Sequence, residues 1–103
     1  MALTSKQRAY LRGLAHHLNP TVMIGSAGLT EEVLRKVKFE LSVHELIKVK
    51  VSDAPLDVSE AGPQLAEQGE AELVQTIGHI AVLYKKRKKD PEIRLPKDEA
   101  AEG

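Results

Sequence analysis

The chain has 103 residues, of which 42% are hydrophobic and none is cysteine, and its 15 basic and 15 acidic side chains give a formal net charge of zero. This composition indicates a single globular domain and excludes disulfides, cysteine nucleophiles and cysteine-ligated metal sites. Because no apolar run approaches the roughly 20 residues of a membrane span and no secretory leader is recognisable, we expect a cytoplasmic protein with no membrane partner.

The neutral total conceals an uneven distribution of charge along the chain. Residues 1–50 contain eight Lys or Arg against four Glu, whereas residues 51–103 contain seven basic against eleven acidic residues. Six acidic and no basic residues lie between Val51 and Glu72, and five consecutive cations occupy positions 85–89. One molecule can therefore present both an acidic and a basic surface.

The N-terminal segment predicts an amphipathic helix that begins at a capped residue. Thr4 and Gln7 have the spacing of a capping box. Apolar residues follow at helical spacing: Tyr10, Leu11, Leu14 and Leu18. Pro20 disfavours helical geometry in the residue before it, so the helix should end near Leu18 or Asn19.

The side of this helix away from the apolar residues is cationic. Its members are Lys6, Arg8, Arg12 and His16. Surface helices commonly carry such a ridge simply to remain soluble. However, no acidic residue occurs between Met1 and Thr30 to pair with it, and this favours an external anion as the partner.

A glycine loop follows a short strand that the sequence predicts over residues 21–24. The loop residues are Gly25, Ser26, Ala27 and Gly28. Thr30 can cap a second amphipathic helix over about residues 30–43. Bare backbone beside a helix N-terminus favours an anion such as phosphate, and Glu31 and Glu32 in the first helical turn direct that anion to the loop amides. The loop is therefore a candidate contact for a nucleic-acid backbone.

Residues 44–51 alternate as a half-buried strand does. Ile47, Val49 and Val51 share one face, and Lys48 and Lys50 share the other. On the preceding helix, Phe39 falls off the apolar stripe. It is either exposed and able to stack on a base, or buried under a neighbouring element.

The segment after this strand predicts a weak helix and a hairpin. A short helix over residues 59–67 would be weakened or split by Gly62 and Pro63. Two strands, over residues 72–77 and 80–84, are separated by Gly78 and His79. A glycine in the first of two turn positions favours a type II′ hairpin.

The C-terminal part predicts an extended segment followed by a tail. The cations at 85–89 should prolong the last strand until Asp90 and Pro91 stop it. Ile93 and Leu95 should pack as a short extended segment, and residues 97–103 should be disordered.

Together these elements predict an α/β fold of the α+β layer type, in the order α-β-α-β-α-β-β. A four-stranded mixed sheet with helices packed on it fits this order, because crossover helices join parallel neighbours and the hairpin joins an antiparallel pair. We expect one domain over residues 1–96.

Four blocks of the sequence resemble the CRM-domain family, an RNA-binding module found singly in bacterial YhbY-type proteins and in several copies in plant organelle splicing factors. The blocks cover residues 3–8 with 11–17, 24–31, 44–50, and 74–78 with 82–84. The resemblance implies a fold similar to the C-terminal domain of translation initiation factor three. It also implies RNA binding through a GxxG loop, and association with precursors of the large ribosomal subunit in the single-domain bacterial members.

Carried onto this chain, the resemblance makes Gly25, Ser26, Ala27 and Gly28 the RNA-binding loop. The supporting cations are Lys6, Arg8 and Arg12, with Lys48, Lys50, Lys85 and Lys86 as further candidates. Ser26 stands where many family members have a basic residue, and His79 stands where lysine is common. We therefore expect the loop to position RNA while cations elsewhere supply most of the attraction.

Two functions other than RNA binding have some support in the sequence. No two of the four histidines have the spacing of a helical zinc site, and GSAG lacks the order of a nucleophile elbow, so we expect no enzyme activity, metal, cofactor or small-molecule substrate. The stronger rival is a protein-interaction module that docks basic ribosomal proteins through the acidic stretch 53–72.

Overall fold

The structure, a computed structural model, describes residues 3–52 and 55–96. Within these residues the chain forms three helices and four strands: α1 (Ser5–Ala15), β1 (Val22–Ile24), α2 (Glu31–His44), β2 (Leu46–Val51), α3 (Val58–Gly69), β3 (Glu72–Ile77) and β4 (Ile80–Tyr84). The predicted fold class and element order are confirmed. The tail predicted over residues 97–103 lies outside the described residues.

The four strands form one mixed sheet in the order β1-β2-β4-β3. β1 and β2 are parallel and are joined through α2, whereas β4 is antiparallel to both of its neighbours. Gly78 has φ +57° and His79 has no positive φ, as a type II′ turn requires. The parallel pair therefore comes from the crossover helix and the antiparallel pair from the hairpin, as predicted.

The sheet separates two apolar cores. α2 and α3 cover one face, whose buried residues include Ile24, Val37, Leu41, Val49, Leu65 and Leu83. α1 covers part of the other face, where Leu11, Ala15, Leu46, Val74, Val82 and Tyr84 are buried. The start of β2 is buried on both faces, because Leu46 lies under α1; the strand is half-buried only farther along. No helix in the described ranges has the length and apolar character needed to cross a membrane.

The capping box at the start of α1 is confirmed, but the helix ends earlier than predicted. Gln7 N donates to Thr4 Oγ1, and Thr4 N donates to Gln7 Oε1, each over 3.1 Å. The helix stops at Ala15 rather than near Leu18 or Asn19. The chain must then reach the sheet, where Thr21 N donates to Lys48 O over 3.1 Å, and residues 16–20 make this connection.

The prediction that Gly62 and Pro63 would weaken or split the third helix is wrong. α3 runs without a break from Val58 to Gly69, and Asp57 caps it by accepting a hydrogen bond from Glu60 N over 3.1 Å. Pro63 leaves the carbonyl of exposed Ser59 without its helical donor, and water can solvate that carbonyl. Burial of the apolar side of α3 outweighs this local cost.

The prediction that the cations at 85–89 prolong the last strand is also wrong, because β4 ends at Tyr84. Glu45, only 1% exposed, turns the chain away from the sheet at this point. Its carbonyl accepts from Lys85 N over 2.8 Å, and its Oε2 accepts from Arg87 N over 2.9 Å.

Further along, Glu45 Oε1 accepts from the backbone N–H groups of Glu92 and Ile93 over 2.7 and 2.9 Å. Residues 91–96 are thereby directed back over the face that α1 covers. Ile93 and Leu95 pack against the core there, as predicted. In the sequence, only one feature points to Glu45: it is a carboxylate at the junction of a helix and an apolar strand.

Candidate nucleic-acid interface

The predicted glycine loop is a β-turn at the surface of the protein. Gly28 N donates to Gly25 O over 3.0 Å, which places Ser26 and Ala27 at the centre of the turn. Both central residues are exposed. In the part of the chain that the structure describes, neither of their backbone N–H groups has an acceptor. The loop therefore offers two backbone donors to a ligand.

The two glycines of the loop have different roles. A Cβ at Gly25 would meet no atom within 4 Å, so this residue leaves the approach to the turn open. Gly28 is buried, has φ +74°, and a Cβ there would lie 3.5 Å from Pro55 Cδ. Because a positive φ is costly for residues with a side chain, a glycine at position 28 lets the chain adopt this turn.

Lys50 lies in a row of side chains that crosses the sheet on the face where α1 packs. Met23 pairs with Lys50, Lys50 with Ile80, and Ile80 with Ile77. Directly paired residues point to the same face of a sheet. We call these four residues the open row, because Met23 is 64% and Ile77 59% exposed. α1 therefore leaves this end of its face uncovered, next to the loop.

The contacts of α1 show which of its sides is turned towards the open row. Gln7 Nε2 donates to Pro96 O over 3.1 Å, and Leu14 lies in a cleft of about 420 Å³ with Ile93. This side faces the end of the sheet at which β2 begins. At about 100° per residue, Arg12 lies on the other side of buried Leu11, towards the open row. Arg12 is exposed.

Arg8, one turn earlier, is engaged within the protein. Its Nη1 donates to the carbonyl oxygens of Leu73 and of Val74, the latter over 3.3 Å. The pairing of β3 with β4 is irregular between Leu73 and Gln75, and such a bulge leaves backbone groups without ladder partners. Arg8 is therefore a structural contact, and the predicted cationic ridge is divided. Lys6 is exposed on α1.

The other predicted lysines fall into two groups. Lys48 and Lys50 are half-buried on the face of the open row. Lys85 and Lys86 follow Tyr84, which pairs with Leu46 at the opposite end of β2 from the loop. At roughly 3.3 Å per residue, Lys50, which pairs with Ile80, lies about 16 Å along the sheet from Lys85, and Lys48, which pairs with Val82, lies about 10 Å from it. Gly25 to Gly28, Arg12 and Lys50 therefore share one end of the molecule, Lys48 lies near the middle of β2, and Lys85 and Lys86 lie at the other end.

Lys85 is also partly engaged, since its Nζ lies 3.7 Å from Glu70 Oε2 and 3.4 Å from Gly69 O. Lys86 is exposed.

Phe39 is 65% exposed on α2, so of the two predicted possibilities for this residue, exposure rather than burial is the one found. Over residues 3–52 and 55–96, no group of three His, Asp or Glu side chains is placed to hold a metal ion.

Comparison with known proteins agrees with this architecture. Residues 3–85 match the family described as the CRS1 / YhbY (CRM) domain. The chain is similar to an RNA-binding protein of Haemophilus influenzae, with 47% identity over 96 residues that cover 92% of this chain and 96% of that protein. It is also similar to the "Probable RNA-binding protein YqeI" of Bacillus subtilis, with 38% identity over 91% of this chain and 99% of that protein.

Among solved structures, the protein SAV1595 of Staphylococcus aureus superposes with a TM-score of 0.80 at 41% identity. The match covers 92% of this chain and all of that chain. The resemblance drawn from the four sequence blocks is therefore confirmed. The chain belongs to the CRS1 / YhbY (CRM) domain family.

Proposed function

We propose that this protein binds RNA at the end of the sheet that carries the GSAG loop. The observation that supports this most strongly is the pair of backbone N–H groups of exposed Ser26 and Ala27, which have no acceptor among the described residues and lie next to the open row. Backbone donors on an uncrowded turn suit a phosphate oxygen. The relatives from Haemophilus influenzae and Bacillus subtilis are both named as RNA-binding proteins, which supports the same ligand.

The site divides the work of recognition between three kinds of group. The loop amides bind and orient a phosphate, whereas Arg12, Lys48 and Lys50 attract the backbone. Exposed Met23 and Ile77 give apolar contact to bases or sugars. Bases reach such a surface only where they are unstacked, so the proposed ligand is a single-stranded or loop segment of RNA.

The proposed RNA is ribosomal RNA in precursors of the large ribosomal subunit, which would make the protein an assembly factor in ribosome biogenesis. The family resemblance supports this choice of RNA. The site is made of amides, cations and aliphatic side chains. These groups suit a protein that binds and positions an RNA segment without catalysing a reaction on it.

Substitution of Ser26 by Asp tests the loop. Gly25 and Ser26 lie on the open side of the turn, so the variant should fold normally while placing a negative charge at the proposed phosphate position. We expect single-stranded RNA to bind about tenfold or more weakly, measured by fluorescence anisotropy at fixed salt.

Substitution of Lys50 by Gln tests the cations beside the loop. Lys50→Gln should make the dependence of log K on log salt concentration shallower by about 0.7.

The matched control is Gln64→Glu, which adds one negative charge at an exposed position of α3. It should leave RNA affinity almost unchanged. Retained affinity in a folded Ser26→Asp protein would show that the loop is not the RNA contact.

The rival function, docking of basic ribosomal proteins through the acidic stretch, has less support. The Ser59 hydroxyl and the Glu60 N–H hold the pKa of Asp57 below its usual value, and Asp57 is occupied in capping α3. Glu70 pairs with Lys85. Glu60 and Glu67 remain exposed, seven residues apart on one side of α3. Binding to ribosomal particles that depends on these two residues and not on Ser26 would favour the rival.

A further inference from the structure

We propose that the protein has a second RNA contact at the far end of the sheet, which binds a separate stretch of the backbone of the same RNA. This inference rests on the proposed function. The surface is a cleft of about 290 Å³ between α2 and the segment after β4. We call it the distal cleft; its lining is Lys38, Leu41, Ser42 and residues 85–89.

The lining of the distal cleft is cationic and contains no acidic side chain. Lys38, Lys86, Lys88 and Lys89 are all exposed. In the described ranges, none of these four makes an ion pair or a side-chain hydrogen bond. Four unpaired ammonium groups around one concave surface repel each other, and a polyanion relieves that repulsion.

The other two cations of the segment hold the cleft in shape. Arg87 Nη1 donates to Val43 O at the end of α2 over 2.9 Å, and its Nη2 lies 3.3 Å from Glu92 Oε1. The main chain of Arg87 is fixed by buried Glu45. Lys85 is tied to Gly69 and to Glu70. A ligand would therefore meet lysines that project from an ordered backbone, which lowers the entropic cost of binding.

The position of the distal cleft separates it from the loop site. About 20 Å of β2 lies between them, so one phosphate group cannot contact both. α2 begins beside the loop at its cap, Thr30, and reaches the cleft near its last turn. Exposed Arg35 lies on the same side of α2 as Lys38, one turn closer to the loop. Exposed Glu31 lies on this side of α2 between Arg35 and the loop, so the positive charge is interrupted and the two contacts are separate.

An RNA backbone suits the distal cleft better than an acidic protein does. Protein interfaces usually gain most of their affinity from apolar or aromatic side chains that fill pockets at their centre. Here Leu41 is the only apolar residue of the lining, and it is 1% exposed. What remains is a set of flexible point charges, which matches a regular series of phosphates.

The experiment compares an RNA of about 4 nucleotides, too short to reach both sites, with one of about 20 nucleotides. Combined substitution of Lys86, Lys88 and Lys89 by Gln should weaken binding of the long RNA at least about fivefold and make its salt dependence shallower by about 0.7 for each lost contact. Binding of the short RNA should be unchanged, because the loop site alone holds it.

The matched control pair is Lys38→Gln and Lys36→Gln. Both remove one charge from an exposed position of α2, but at about 100° per residue Lys36 lies on the opposite side of the helix from the cleft. Only Lys38→Gln should weaken binding of the long RNA.

Two outcomes would overturn the inference: wild-type affinity and salt dependence of the triple variant for the long RNA, or equal losses for both RNAs. The Ser26→Asp variant separates this failure from failure of the loop site. If the triple variant alone weakens long-RNA binding, the distal cleft stands and the loop proposal fails. If Ser26→Asp alone does so, the reverse holds.

Discussion

Arg8 and Arg12 are identical side chains one turn apart on α1, yet the structure gives them different roles. Arg8 is half-buried and donates to two carbonyl groups of β3. Arg12 is exposed towards the open row. Helical spacing alone places them on one ridge, so their separation depends on the bulge in a strand more than sixty residues away in the chain.

Substitution of each arginine by alanine should separate stability from binding. Arg8→Ala leaves two carbonyl groups without a donor, so we expect the free energy of unfolding to fall by about 1–2 kcal/mol. Arg12→Ala should change stability by less than about 0.5 kcal/mol but should weaken RNA binding. Urea denaturation and fluorescence anisotropy measure the two effects. If both variants weakened RNA binding equally, the two arginines would act together as one cationic ridge, and their different roles would be contradicted.

At the scale of elements, one residue decides how α2, β2 and the C-terminal segment meet. Glu45 ends α2 with φ +59°, a conformation that is rare for residues with a side chain. Burial raises the pKa of its carboxyl group. Hydrogen bonds from the N–H groups of Arg87, Ile93 and Glu92, together with the charge of Arg87, lower this pKa by more than burial raises it. The net result is a pKa below the usual 4.5. The ionised carboxylate therefore stabilises the fold.

Glu45→Gln should lower the free energy of unfolding by about 2–3 kcal/mol at neutral pH, since the amide cannot accept all three N–H bonds. Because the folded pKa is depressed, the wild-type advantage is complete above the usual value and is lost as pH falls through the folded pKa. Urea denaturation at pH 7 and pH 3 should therefore show a difference that shrinks in acid. A pH-independent difference would contradict this role. Exposed Glu67→Gln is the control.

α3 shows how packing outweighs a local signal. Gly62 reads as a helix breaker, but a Cβ at this position would lie 3.1 Å from Thr76 Cγ2 and 3.2 Å from Leu73 Cδ1. The glycine lets the helix approach the sheet closely. Pro63 next to it is exposed and faces water. Gly62, which predicted a break, is therefore what permits a helix at this distance from β3, and exposed Pro63 is tolerated beside it.

At the scale of the whole molecule, a neutral chain carries two separate groups of cations that we propose bind RNA. One lies around the loop and the open row, the other at the distal cleft. Glu60 and Glu67 face outward from α3. Attraction of RNA depends on the local field more than on net charge, since exposed charges farther apart than about 8–10 Å are screened at physiological salt. Zero net charge is therefore compatible with RNA binding at two ends.

The proposed ribosomal role makes a prediction about the protein in cells. Ultraviolet crosslinking followed by sequencing of the attached RNA should recover mainly fragments of large-subunit ribosomal RNA in precursor particles, and Ser26→Asp should reduce their yield. Recovery from mature ribosomes alone would contradict a role in assembly. A majority of unrelated RNA would contradict ribosomal RNA as the ligand.

The sequence by itself determined what depends on neighbours along the chain. The capping box at Thr4, the turn at Gly78, the alternation in β2 and the blocks that identify the family all involve residues within a few positions of one another. Element order and fold class could be predicted for this reason, as could the exposed turn at the glycine loop.

Only the tertiary structure decided how these elements share the molecule. The end of β4 depends on Glu45 contacting Arg87 from 42 residues away, and the role of Arg8 depends on a bulge in β3. The strand order placed Lys85 and Lys86 at the far end of the sheet from the loop. These features arise from burial and hydrogen bonds between distant segments, which no local pattern encodes.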